Sequence, residues 1–257
     1  MTVVPKKRLG QHFLVDENIL GVIGRLSALA AEDVVVEVGP GLGVLTRYLA
    51  DRVRHVHAVE LDRSLEPALR DALGSRTNVD LLWADALRVD VDALDPTPTK
   101  LVANLPYNVA TPLVVETLEH ASSVRAWCVM VQREVADRFF ASPRTKAYGA
   151  VSVLVQLSAR RTGFHPVAPS VFRPPPRVDS ALIAFERQHV AAVGDVRPLV
   201  EAAFAHRRKT FANSVATSGL APRARVEGVL AELGYAPNVR AEELEPAAFV
   251  ELARLVG

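Results

Sequence analysis

Between residues 33 and 140 the chain alternates short, almost uninterrupted apolar runs with longer stretches of mixed polarity. Val34-Val35-Val36-Glu37-Val38 reads as a buried strand, followed by a glycine-rich turn and a helix over about 44–50. Residues 56–60, 79–83, 100–103 and 125–131 repeat the strand signature, β-branched or aromatic and four to seven residues long. Asp62 stands where it can cap the helix after the second run. A strand–helix rhythm of this kind predicts an α/β fold, a mostly parallel sheet covered on both faces. In such sheets ligands lie beyond the carboxyl ends of the strands. The conspicuous polar residues Glu37, Glu60, Asp85 and Asn104 fall at those ends.

After residue 145 the rhythm changes. Residues 148–157 fit a short helix better than a strand, and strands are expected over 164–167 and 181–185 around the stiff segment Phe172-Arg173-Pro174-Pro175-Pro176-Arg177. Beyond about residue 188 the spacing is helical, over 196–205, 209–216, 223–233 and 246–256. The expected organisation is therefore a sheet domain over 1–188 and a small all-α domain over 189–257.

Composition narrows the class without naming a function. The chain has 257 residues, 49% apolar and 23% charged, with a net charge of +1, as in a soluble globular protein. Neither a signal-peptide stretch nor a membrane span is evident, so a cytoplasmic protein is expected. Its single cysteine, Cys128, lies in an apolar strand run and suits a buried core position. His55 and His57 share one face of a strand, but the sequence offers no third ligand, and no metal site is predicted.

Two local patterns carry chemistry. The first is the turn Glu37-Val38-Gly39-Pro40-Gly41-Leu42-Gly43 between a strand and a helix. Glycines at 39 and 41 permit a tight turn and close approach of backbone to a ligand. Val44 stands where a dinucleotide fingerprint needs its third glycine, so the turn suits a nucleoside with a charged amino-acid tail, as in S-adenosylmethionine. Glu60 is placed to accept from ribose hydroxyls, and Asp85 from an adenine amino group. Taken singly, the turn can simply join two elements, and either acid can cap a helix.

The second pattern is Asn104-Leu105-Pro106-Tyr107. An exocyclic aromatic amine is a poor nucleophile because its lone pair is delocalised into the ring. Two acceptors on its N–H bonds, the Asn104 side-chain carbonyl and the Leu105 backbone carbonyl, localise that pair. Pro106 restricts Leu105 to an extended conformation, and Tyr107 offers a face for base stacking.

Together these segments resemble the KsgA-type small-subunit ribosomal RNA adenine dimethyltransferases over nearly the whole chain. The matching segments include Leu9-Gly10-Gln11-His12-Phe13-Leu14, the glycine turn, Glu60-Leu61-Asp62, Asp85-Ala86, Asn104–Asn108, Phe172–Ala181 and Phe204–Thr210. The resemblance implies a Rossmann-like S-adenosylmethionine-dependent methyltransferase domain that dimethylates the N6 amines of two adjacent adenines near the 3′ end of the small-subunit RNA. It implies that His12, where many relatives carry asparagine, and Leu14 line the donor pocket with Gly39, Gly41, Glu60, Asp85 and Asn104. It also implies that Phe172 faces the target base opposite Tyr107, unless its ring fills the core beside the prolines.

Basic residues cluster in three runs, at 6–8, 144–177 and 207–225. Arg207, Arg208 and Lys209 are the candidates for phosphate contacts to an assembling small subunit. A monomer is the simpler expectation for a chain of this size acting on a bulky particle. Two alternatives stand beside this reading: a macrolide-resistance-type methyltransferase of large-subunit RNA, and a non-catalytic ribosome-assembly factor on the same fold.

Overall fold

The apolar runs become strands in the computed structural model, which describes residues 6, 11–188 and 193–256. A two-residue strand β1 (Phe13–Leu14) precedes helix α1 (Glu17–Leu26), whose first turn is capped by Asp16 accepting from the Asn18 amide at 2.8 Å. Then come β2 (Val34–Val38), α2 (Val44–Ala50), β3 (His55–Glu60), α3 (Glu66–Leu73), β4 (Val79–Trp83), β5 (Lys100–Asn104), α4 (Ala110–His120), β6 (Ala126–Gln132) and α5 (Arg133–Phe139). Helix α6 (Ala150–Ser158) leads into β7 (Ala159–Val167), β8 (Phe172–Arg173) and β9 (Ser180–Arg187). The remaining helices are α7 (Val193–Phe204), α8 (Phe211–Thr217), α9 (Arg223–Glu232) and α10 (Pro246–Val256).

Seven strands form one sheet in the order β4-β3-β2-β5-β6-β9-β7. The first five are parallel to their neighbours, and β9 runs antiparallel to β6. From β2 the chain steps outward to β3 and β4, then returns to the other side of β2 as β5. Connections therefore leave β2 and β5 in opposite directions, and a crevice opens where their carboxyl ends lie side by side. Beneath it, Val35, Val56, Val102, Cys128 and Met130 pack against Ile19, Leu20 and Ile23 of α1 and Leu45 and Leu49 of α2. Burial pushes the Cys128 thiol up to about 12, so it stays a neutral core side chain.

The chain divides into two compact units. The first runs to Ala136 and resumes over Arg160–Arg187; the second joins Asp137–Ala159 to the residues from Gln188 onward. The division expected at residue 188 thus leaves out an earlier stretch, 137–159, which groups with the C-terminal helices. The reason is local bonding. Tyr148 donates its hydroxyl to the Leu244 carbonyl at 2.7 Å, and the Arg144 amide donates to the Glu242 carbonyl at 2.7 Å. The Tyr148 ring also meets Phe204 edge-on, with centroids 6.0 Å apart. No described helix is long and apolar enough to cross a membrane.

Candidate active site

The crevice is walled by the segments that leave β2, β3, β4 and β5, and by residues 11–14. Its β2 side is set by backbone. Gly39 and Gly41 have φ of +71° and +59°, a region costly for any residue with a Cβ. A Cβ on Gly41 would lie 3.0 Å from the Phe13 ring, and one on Gly39 would lie 3.3 Å from the Pro106 ring. The bare turn therefore lets the β1 segment and the β5 segment close on it from two sides.

Glu60 ends β3 and ties this turn to the next strand. Its Oε2 accepts from the Gly41 amide at 3.3 Å and its Oε1 from the Asp62 amide at 2.8 Å. Burial raises its pKa, and the backbone donors work against that rise. The Leu61 amide also works on this group, and a carboxylate offers about four lone-pair positions, which leaves room for a ligand hydroxyl. Asp85, after β4, accepts from the Leu87 amide at 3.1 Å and keeps its other oxygen at the half-exposed rim.

Glu37 lies at the floor of the crevice, 1% exposed. Burial pushes its carboxyl up to about 8 against the lowering influence of the neighbouring Thr46 hydroxyl, yet neither Glu37 Oε2 nor Thr46 Oγ1 makes a well-formed hydrogen bond among the described residues. A buried polar atom without a partner costs free energy until one arrives. An orphan acid, a bare glycine cradle and Glu60 with spare lone pairs fit a nucleoside carrying a cationic amino-acid tail. Glu37, Gly39, Gly41, Glu60 and Asp85 are the residues that would hold it.

The β5 side is set by side chains. Asn104 closes the strand, and its Nδ2 donates to the His12 carbonyl at 3.2 Å. That bond commits the amide nitrogen and leaves Oδ1 as the acceptor. The Leu105 amide donates to the Met130 carbonyl at 3.0 Å, while the Leu105 side chain is buried. Tyr107 is pinned by a 2.6 Å hydrogen bond between its hydroxyl and Ser180 Oγ, and burial keeps its phenol protonated. Its ring meets His12 at 5.5 Å with a 30° tilt. His12 Nδ1 lies 2.7 Å from the Pro174 carbonyl; a carbonyl only accepts, so Nδ1 carries a proton.

Phe172 is the expectation the structure corrects. β8 pairs antiparallel with β1, matching Leu14 to Phe172. The Phe172 ring is fully buried in the core that also holds Leu14, Ile19 and Val171, and it does not line the crevice. Burying an aromatic ring of this size is worth about 1.5–3 kcal/mol, and the strand pairing directs it inward. In this structure Phe172 supports the His12 segment from behind.

Several contributors escape a reading by sequence alone. Phe13 lines the crevice between His12 and Leu14; its place in the Gln-His-Phe-Leu segment is the one available signal. Ser180 and Pro174 hold Tyr107 and His12 across long sequence separations. Asp62, expected to cap the next helix, caps the short 3-10 turn Arg63–Leu65 that precedes α3 by accepting from Ser64, and it also takes hydrogen bonds from Lys6 and Gln11. Burial works against its charge, but those donors outweigh it and hold the carboxyl well below the usual range. Of the segment 9–14, Leu9 and Gly10 lie outside the described residues, as do Lys7 and Arg8. In the second unit Arg207, Arg208 and Lys209 are exposed in the turn between α7 and α8. Arg207 donates to the Lys146 carbonyl at 2.9 Å and Lys209 to Thr217 Oγ1 at 2.8 Å.

Known proteins resemble this chain over nearly its whole length. A family model described as ribosomal RNA adenine dimethylase matches residues 4–256. The chain is similar to ribosomal RNA small subunit methyltransferase A of Rubrobacter xylanophilus, 49% identical over 254 residues that span 98% of this chain and 95% of that protein. To the protein of the same name from Kineococcus radiotolerans it is 44% identical, over 98% and 86% of the two chains. Among solved structures, a dimethyladenosine transferase from Plasmodium falciparum shares the fold with a TM-score of 0.80 at 22% identity, over 94% and 96% of the chains. The 23S rRNA methyltransferase ErmE matches with a TM-score of 0.68 at 27% identity, over 95% and 99%.

Proposed function

The chain belongs to the ribosomal RNA adenine dimethylase family, and from that premise we propose that it converts two adjacent adenines of small-subunit ribosomal RNA to N6-dimethyladenine. It is an rRNA methyltransferase whose methyl donor is S-adenosylmethionine. The proposed target is a hairpin loop near the 3′ end of the RNA, met in the cytoplasm within an assembling small subunit and approached by a single chain. High identity to proteins named for the small subunit supports this target over large-subunit RNA.

The observation that carries the reading is the Asn104 amide locked by the His12 carbonyl. With Nδ2 committed, Oδ1 is presented to accept an N–H bond of an adenine amine. The Leu105 carbonyl is the proposed second acceptor, and Tyr107, held by Ser180, the proposed stacking face. Stacking is worth roughly 1–3 kcal/mol per base, comparable to the few kcal/mol of extruding one. When bound, S-adenosylmethionine supplies a methyl group on a sulfonium that is already a good leaving group. The proteins' own residues then need only position and polarise; no general base is assigned. Arg207, Arg208 and Lys209 are the proposed phosphate contacts in the second unit.

The test is methyl transfer from labelled donor to unmethylated small and large subunits, with the modified base mapped. Label on two adjacent small-subunit adenines is expected, and label in the large subunit alone would overturn the reading. Reversing charge with Arg207→Glu, Arg208→Glu and Lys209→Glu together is expected to weaken RNA binding and flatten its salt dependence. An unchanged slope places the phosphate contacts elsewhere.

A further inference from the structure

At the amino-terminal end of β3, away from the crevice, three metal-ligating side chains meet. His55 and His57 are two residues apart and so share a sheet face. The parallel register of β3 and β4 sets Asp80 directly across from His57. His55 Nε2 lies 2.9 Å from Asp80 Oδ2, and His57 Nδ1 lies 3.7 Å from the same oxygen. All three donor atoms fall within 4.8 Å of one another.

The orientation of His57 is the informative detail. Its ring is buried, and its Nε2 is 2.8 Å from the Pro96 carbonyl. Because a carbonyl only accepts, Nε2 bears the proton and donates. Nδ1 is then left facing the Asp80 carboxylate at a distance too long for a hydrogen bond. A bare imidazole nitrogen beside a carboxylate oxygen is an arrangement that a cation between them stabilises. A backbone carbonyl on the far ring nitrogen is also how metal-binding histidines are commonly oriented.

We propose that His55 Nε2, His57 Nδ1 and an Asp80 carboxylate oxygen form a site for one divalent transition-metal ion of zinc's coordination chemistry. Zinc sits about 2.0–2.2 Å from such ligands, which requires ligand atoms roughly 3.3–3.5 Å apart in a tetrahedron. The observed 2.9 and 3.7 Å bracket that spacing. Asp80, whose side chain is 55% exposed, has the freedom to make the adjustment and leaves room for a water as fourth ligand. On binding, the neutral His55 ring carries its proton on Nδ1 and turns the Nε2 lone pair, now beside Asp80, to the ion.

The site is structural. His55 and Glu60 are the two ends of β3, five residues apart, so about 16 Å of strand at roughly 3.3 Å per residue separates the ion from the crevice. A bound ion joins β3 to β4 and, through Pro96, steadies the segment that leads into β5.

The experiment uses the full-length protein stripped with a chelator and titrated with zinc chloride by calorimetry, alongside thermal melting. One zinc per chain is expected, with a melting temperature raised by on the order of 5–10 °C at a hundredfold excess over Kd. Asp80→Asn, which keeps the side-chain shape, and His55→Ala are each expected to weaken binding by about tenfold or more. Methyl transfer should stay at the wild-type rate in both. Absence of stoichiometric zinc binding would leave an ordinary His55–Asp80 surface pair and overturn the proposal. Equal affinity in both variants and wild type would overturn it as well, by placing the ion elsewhere.

Discussion

The two walls of the crevice are built by opposite means. The β2 wall is shaped by what is missing: Gly39 and Gly41 turn through positive φ and leave no Cβ in the way of Pro106 and Phe13. The β5 wall is shaped by side chains whose orientation is fixed by distant partners. Asn104 is held by His12, 92 residues away in sequence, and Tyr107 by Ser180, 73 residues away. Holding a ligand along its length asks for a fixed cradle, which backbone provides. The proposed polarising of one nitrogen asks for an aimed acceptor, and a locked amide suits that role. The first wall takes its shape mainly from its own glycines, whereas the second depends on side chains held from far along the chain.

Three substitutions test that contrast, in descending order of effect. Asn104→Ala removes the aimed acceptor and is expected to cost about 2.7–4 kcal/mol of barrier, by analogy with deleting one preorganised hydrogen-bonding group. Donor affinity should stay near wild type, so kcat and donor Kd measured together separate the walls; wild-type turnover would sink the polarising role. Gly41→Ala attacks the other wall. A left-handed conformation costs roughly 1–2 kcal/mol for a non-glycine residue, and the new Cβ presses on Phe13. Its expected signature is a lower melting temperature and weaker donor binding. An unshifted donor Kd would show that the cradle tolerates a methyl group. Tyr107→Phe keeps the ring and deletes the bond to Ser180, a loss of about 0.5–1.5 kcal/mol. It should raise KM for RNA a few-fold and spare kcat. A fall in kcat as large as that of Asn104→Ala would shift the polarising role toward the phenol.

The same contrast explains what could be read without a structure. Strands 34–38 and 79–83 have the predicted bounds, because runs of β-branched and apolar residues declare a strand locally. The position of the glycine turn and the strand-end acids is legible for the same reason: residue type and place after a strand set Gly39, Gly41, Glu60 and Asp85 along the crevice. What escaped is long-range. The β1–β8 ribbon has two residues per strand, too few to show a period, and it alone decides that Phe172 points into the core. Asp80 joins His55 and His57 through the register of two strands, which no spacing within one strand reveals. Residues 137–159 group with the last helices through Tyr148 and Arg144, neither of which marks a boundary in the sequence.

Glu37 has a consequence for how the ligand-free protein responds to acidity. Its carboxyl, ordinarily titrating near 4.5, keeps its proton up to about 8 when folded. An unfolded chain gives that proton up across the same interval. The contribution of this group to stability is therefore full below about 4.5 and drains away as pH rises through about 8. Glu37→Gln, which cannot ionise, should melt with a flatter dependence on pH across that window than the wild type. A thermal melt recorded in mildly alkaline buffer thus reports the state of one proton at the bottom of the crevice as well as the packing of the core.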